Sequence, residues 1–181
     1  MELTHEFDLP APVGACWDLL LDLERVAPCL PGAEISRRVD DRTYEVMTNV
    51  NLGPMRMNYS GEVVIAEVDP AGRRTVMRAN AKDVRGQGTA SATIVTTLAA
   101  RGETTRASAV TELQLTGRVA QVGRGIVADV SNQLMGQFAS SLSALAAGTA
   151  PAPIERRRVG VLRLLLGVVR ARVARLRGRG R

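Results

Sequence analysis

TGRVAQVGRGIVADVSNQLMGQFASSLSALAA, residues 116–147, decides the fold. Its large apolar residues are Val119, Val122, Ile126, Val130, Leu134, Phe138, Leu142 and Leu145. They recur in steps of three or four, the rhythm of one helical face. Arg118, Gln121, Arg124, Asp129, Asn132, Gln133 and Gln137 fall on the other side, so one face wants burial and the other wants water. The spacing predicts a single amphipathic helix. At about 1.5 Å per residue, roughly 29 residues span about 44 Å, enough to lie across a small sheet. Gly123, Gly125 and Gly136 soften this helix, so it can shift over whatever it covers.

What it covers lies upstream. Leu3, His5, Phe7 and Leu9 alternate with polar residues as in a strand, which Pro10 and Pro12 end. A helix is expected from Pro12 to Leu23, with Val13, Cys16, Trp17, Leu20 and Leu21 on one face, and a second short helix over Glu24 to Leu30, stopped by Pro31-Gly32. From Ala33 to Leu115 the period becomes two, broken by turn residues at 40–41, 53–54, 69–72, 86–88 and 101–103. Six tightly connected strands result. The predicted class is α+β: a curved antiparallel sheet of about seven strands wrapped around the terminal helix.

The inward faces point to a hollow. Met55, Met57, Tyr59, Val63 and Ile65 alternate on one strand, Ala90, Ala92, Ile94, Thr96 and Leu98 on another, and Ala107, Ala109, Thr111, Leu113 and Leu115 on a third. Two Phe, two Tyr and one Trp are few rings to plug a core in a chain that is 45% hydrophobic. Alanine at the strand starts and a softened helix leave room between sheet and helix. The candidate lining is Val46, Met55, Met57, Tyr59, Met77, Ile94, Leu98, Leu113 and Leu115 from the sheet, with Val119, Val122, Ile126, Val130, Leu134 and Phe138 from the helix. Tyr59 has two readings, a hydroxyl donated to a guest or a core ring satisfied by backbone. For any one helix residue, ordinary core packing is the plainer reading.

Charge divides the chain. Residues 151–181 hold ten Arg and one Glu, leaving 14 basic and 17 acidic groups in residues 1–150. The organisation read from this is a ligand-binding body over 1–147, a Pro/Ala linker over 148–153 and a basic tail over 154–181. On a helix, Leu162, Leu165, Leu166, Val169, Val173 and Leu176 form a stripe flanked by Arg163, Arg170 and Arg177 and by Arg172, Arg175 and Arg179. The run 159–169 is only eleven residues with Arg163 inside, against about 20 needed to span a bilayer. The tail is therefore expected to lie on an anionic inner leaflet, with Arg156, Arg157, Arg158, Arg163, Arg170, Arg172, Arg175 and Arg177 on lipid phosphates. A helix docked on a partner protein is the second reading. Nucleic acid is disfavoured, since the tail has no aromatic residue for stacking. The opening MELTHEFDL does not look like a secretory signal, so a peripheral place on the cytoplasmic side of the membrane is expected.

Catalytic chemistry finds little material. His5 is the only histidine and sits in the first strand, so a Ser-His-Asp or Cys-His set could be built only through it, and two cysteines, one histidine and scattered carboxylates give no metal cluster. Cys16 and Cys29 lack metal spacing and read as buried free thiols. Gly123-Arg-Gly125 lacks the Gly-Lys-Ser/Thr that a phosphate loop needs. No metal site and no enzyme activity are expected.

Several phrases occur together in order: Pro10-Ala-Pro-Val-Gly-Ala-Cys-Trp17-Asp-Leu-Leu-Leu-Asp22, Cys29-Leu-Pro-Gly32-Ala-Glu34, Gly53-Pro-Met-Arg-Met-Asn-Tyr59-Ser-Gly61, Gly86-Gln-Gly-Thr-Ala-Ser-Ala92 and Leu115-Thr-Gly117-Arg-Val-Ala-Gln-Val-Gly123-Arg124. Over residues 1–147 the chain resembles the carbon monoxide dehydrogenase CoxG family, within the START and Bet v 1-like (SRPBCC) helix-grip superfamily. The resemblance implies a non-catalytic accessory of a molybdenum hydroxylase such as aerobic carbon monoxide dehydrogenase, held at the membrane. It also implies no covalent cofactor and an apolar guest, an isoprenoid quinone (menaquinone or ubiquinone) or similar lipid. Two other classes stay open: a ligand-free assembly factor binding the hydroxylase or an AAA+ ATPase, and a cyclase-like SRPBCC enzyme.

Overall fold

The computed structural model describes residues 1–52 and 55–149. Strand β1 (Glu2–Leu9) is followed by α1 (Val13–Leu21), α2 (Leu23–Val26) and a 3-10 turn (Ala27–Cys29). Then come β2 (Ala33–Arg38), β3 (Thr43–Leu52), β4 (Met55–Asp69), β5 (Arg74–Asp83), β6 (Thr89–Arg101) and β7 (Thr104–Leu115). A second 3-10 turn (Gly117–Gln121) leads into α3 (Arg124–Ala146). The seven strands make one antiparallel sheet in the order β1-β7-β6-β5-β4-β3-β2. Six of them follow the chain as a meander. β1 instead crosses to pair with the last strand, from Glu2 opposite Glu112 to Leu9 opposite Thr105.

Two register shifts, between Ile35 and Arg37 and between Ile65 and Glu67, bend the sheet on the β2–β4 side. The face so formed is closed by α3. Phe7 on β1 meets Phe138 on α3 edge to face, ring centroids 6.1 Å apart. The His5 ring Nε2 bonds Asn132 Oδ1 at 3.0 Å, so the one histidine ties the edge strand to the helix. At the far end of α3, Leu142 joins Leu9, Cys16, Trp17, Leu20 and Cys29 in the main buried cluster. Both cysteines are free and buried.

The early helices are shorter than expected. The segment read as one helix over Glu24–Leu30 is the single turn α2 and a 3-10 turn, because Pro28 removes an amide donor there. Asp22 caps α2 by accepting the Arg25 N–H at 3.2 Å.

The long helix also differs. It is not one rod from Thr116: Gly123 sits at φ 93°, a left-handed value that breaks the chain between the 3-10 turn and α3. The 23 residues of α3 span about 34 Å. Its buried face also has a different phase. Steps of four advance about 40° beyond a full turn, so Ile126 and Leu142 cannot share a face. The inward residues are centred on Val127, Leu134, Phe138 and Leu142, while Ile126 points to solvent at 42% exposure.

The β5–β6 turn is held by one carboxylate. Asp83 is 3% exposed and accepts the amide N–H groups of Asn58 (3.1 Å), Arg85 (2.9 Å) and Gln87 (3.3 Å). Burial acts to raise its pKa, but the three donors outweigh it and hold Asp83 below the ordinary carboxylate value. A depressed folded value means that this contribution to stability is present above the unfolded pKa and is lost as pH falls through the folded one. Asp83→Asn is expected to lower the melting temperature at neutral pH and to flatten the acid limb below about pH 4. Melting curves of both proteins across that limb check it, and parallel curves would contradict it.

Candidate functional site

Between the sheet and α3 lies a cavity of about 480 Å³, within the range of small-molecule sites. Its existence follows from residue size. At the centre of the sheet, Ala79 lies opposite Ala92 and Ala81 opposite Ala90 across β5 and β6, and β7 adds Ala107 and Ala109. These six methyl groups occupy positions where Leu or Phe would reach α3. Larger residues form the ends and sides of the space. Leu20, Leu23, Val26 and Leu30 come from the early helices, Val46, Val50 and Leu52 from β3, and Val127, Val130, Leu134 and Phe138 from α3.

The structure places most of the expected lining together. Val46, Tyr59, Met77, Ile94, Leu98, Leu113, Leu115, Val119, Val130, Leu134 and Phe138 are on the wall. Met55, Met57, Val122 and Ile126 are not. Met57 faces inward but is fully buried among Leu52, Tyr59 and Val119, beneath the cavity floor. Val122 follows the 3-10 turn and packs on the same cluster, off the wall. Met55 begins β4 at a hairpin end, half-buried and paired with Leu52. Ile126 is displaced by the phase of α3. Sequence reasoning passed over the contributions of Cys16, Leu20, Leu23 and Leu30, and of Val127, Ser131 and Met135. The tail residues expected on a membrane, within 154–181, lie outside the described residues.

The wall carries a polar point. Three buried side-chain polar atoms have no hydrogen-bond partner among the described residues, and of these the Tyr59 hydroxyl is the one that belongs to a residue lining the cavity. Burial, with the nearby Asp83 charge second, pushes the phenol pKa up, so the group stays protonated at neutral pH and is a donor. Asp83, opposite Tyr59 in the β4–β5 ladder, is occupied by its backbone donors. An unpartnered buried hydroxyl costs about 1–3 kcal/mol, and a guest with an acceptor oxygen would remove that cost.

Among the described residues no group of three metal-ligating side chains occurs, and no helix is long and apolar enough to cross a membrane. Burial raises the Cys29 thiol pKa, which disfavours the reactive thiolate.

The architecture is shared with known structures. A conserved protein from Geobacillus kaustophilus superposes with a TM-score of 0.74 at 17% identity, covering 82% of this chain and 96% of its own. The Zhui aromatase/cyclase from Streptomyces sp. R1128 gives 0.59 at 14%, covering 81% and 93%. A START superfamily protein from Mycobacterium smegmatis gives 0.56 at 11%, covering 81% and 97%. At these identities the likeness shows the fold alone, a START and Bet v 1-like helix grip. The sequence matches no curated relative. It does match the family model of CoxG, a carbon monoxide dehydrogenase subunit, over residues 6–147, which run from within β1 through α3 and include every residue of the cavity wall. The chain belongs to the CoxG family.

Proposed function

We propose that this chain carries a long apolar ligand, an isoprenoid quinone, between the membrane and a carbon monoxide dehydrogenase-like molybdenum hydroxylase, without catalysing a reaction itself. The observation that carries the reading is the largely hydrocarbon-walled cavity, lined in part by Tyr59, whose buried hydroxyl has no partner among the described residues. Each buried methylene contributes about 0.8 kcal/mol, while one neutral hydrogen bond contributes about 1 kcal/mol. Affinity would therefore reside in the isoprenoid chain, and Tyr59 would orient a ring carbonyl. Dispersed aliphatic walls, sheltered from water, accept such a chain with little demand on its length.

The same wall argues against chemistry. His5 is bonded to Asn132 and is not among the wall residues, and Glu62, the one carboxylate on the wall, is an exposed residue with no histidine or second acid beside it there. A ligand-free assembly factor would have no need for a row of alanines that keeps sheet and helix apart.

In the cell the quinone would take up the electrons released by the hydroxylase. A reconstitution tests this: the purified hydroxylase, turning over its substrate, is expected to reduce quinone supplied as a complex with this chain far faster than quinone left in vesicles. Equal rates would contradict the carrier role. For attachment, the ten arginines of residues 151–181 and their leucine stripe would hold the chain on anionic lipid. Truncation after Ala150 should move most of the protein from the membrane to the soluble fraction, and unchanged partition would refute the tail's part.

A further inference from the structure

One end of the folded body is basic and apolar at once. It is built from the paired ends of β3 and β4 at Leu52 and Met55, the β5–β6 turn, the 3-10 turn after β7 and the first turn of α3. Backbone bonds hold these pieces together: the Val84 N–H donates to the Asn58 carbonyl at 2.8 Å, and the Arg118 N–H donates to the Gln87 carbonyl at 2.8 Å. Gly117 permits the second contact, since a side chain there would strike the 87–88 backbone.

The segments 49–52, 55–61, 84–92 and 113–128 that form this end contain Arg56, Arg85, Arg118 and Arg124 and no Asp or Glu. All four arginines are exposed, and among the described residues none is in an ion pair. Of the acids that border these segments, Asp83 is buried and engaged, while Glu62, Glu112 and Asp129 are exposed and, among the described residues, in no ion pair with these arginines. Two of the body's few exposed large apolar residues project from the same end: Val84 at 55% and Ile126 at 42% exposure. The opposite end differs. Its turns pair charges, Arg38 with Asp41 and Arg74 with Glu67.

Isolated cations with aliphatic side chains between them suit an anionic lipid surface, where arginines meet phosphates and the apolar tips enter the interface. We infer that this end of the body docks on an anionic bilayer, with Val84 and Ile126 in the interface and Arg56, Arg85, Arg118 and Arg124 on phosphates. Leu115, Val119 and Tyr59, on the cavity wall, lie just behind it, so the bilayer would face the Tyr59 end of the cavity. The inference is independent of the guest's identity and of the tail.

The test uses the full chain carrying Val84→Trp, Ile126→Trp or, at the opposite end, Pro70→Trp, with the native Trp17 buried as background. Each is mixed with vesicles of phosphatidylcholine and phosphatidylglycerol bearing brominated acyl chains. Emission at positions 84 and 126 is expected to shift to the blue and be quenched, and at 70 to stay unchanged. Arg85→Ala/Arg118→Ala/Arg124→Ala should remove that quenching and weaken partition by at least roughly tenfold. No binding, equal quenching at all three positions, or bound protein with 84 and 126 still in water would overturn the inference, and the last would leave the tail's role standing. A blue shift that grows with protein concentration without vesicles would assign the face to a second copy of the chain and overturn it as well.

Discussion

Ala79→Leu combined with Ala92→Leu should empty the protein of its guest while leaving it folded. The two alanines face each other across β5 and β6 on the cavity wall, so each added isobutyl group projects into existing space and not into packed neighbours. The two substitutions add six carbons to the space, and excluding about six methylenes of a bound chain removes about 5 kcal/mol, more than roughly a thousandfold loss of affinity. The filled protein should melt at or above the wild-type temperature in its empty form, since the new side chains bury apolar surface where little was in contact. Lipid content per protein and thermal melting are measured on the same preparation. Unchanged lipid content with a normal melting curve would mean that the guest, if any, sits elsewhere.

Tyr59→Phe separates orientation from packing by the opposite signs of its two effects. In the empty protein the hydroxyl has no partner, so removing it should stabilise the fold by about 1–2 kcal/mol, a rise of about 2–8 °C in melting temperature. With a quinone bound, the same substitution removes a hydrogen bond of about 1 kcal/mol and weakens binding about fivefold. A structural tyrosine bonded to its surroundings would give the reverse, a lower melting temperature and unaltered binding. The pair of measurements therefore decides which reading of Tyr59 holds.

The sheet was legible because its signals are local. Turn residues at each strand end and alternation between them place all six strands of the meander, and β1 follows from Leu3, Phe7 and Leu9 with prolines behind. The crossing of β1 to β7 rests on long-range pairing that no local pattern encodes. On the helix, a run of four-residue spacings looks like one stripe, yet over Ile126 to Leu142 the accumulated drift is about 160°. Gly123 resets the path as well, so Val122 packs on the Met57 cluster off the wall and Ile126 turns to solvent, while Val130, Leu134 and Phe138 reach the wall. Within β4 the period of two correctly turns both Met57 and Tyr59 inward, but only tertiary packing with Val119 decides that Met57 is buried off the cavity while Tyr59 lines it. The most informative sequence signal was the least conspicuous. Alanine at successive inward positions of β5, β6 and β7 marks missing volume, and a list built on large apolar residues passes over it.

The central claim is that the space between sheet and α3 holds an isoprenoid quinone. Native mass spectrometry of the full chain, purified from its native cells without added lipid and followed by solvent extraction and identification of whatever is released, tests it most directly. The account predicts a mass increment matching one quinone per chain that the Ala79→Leu/Ala92→Leu protein lacks. Folded protein of bare polypeptide mass, or an increment that persists unchanged in the filled variant, would contradict it.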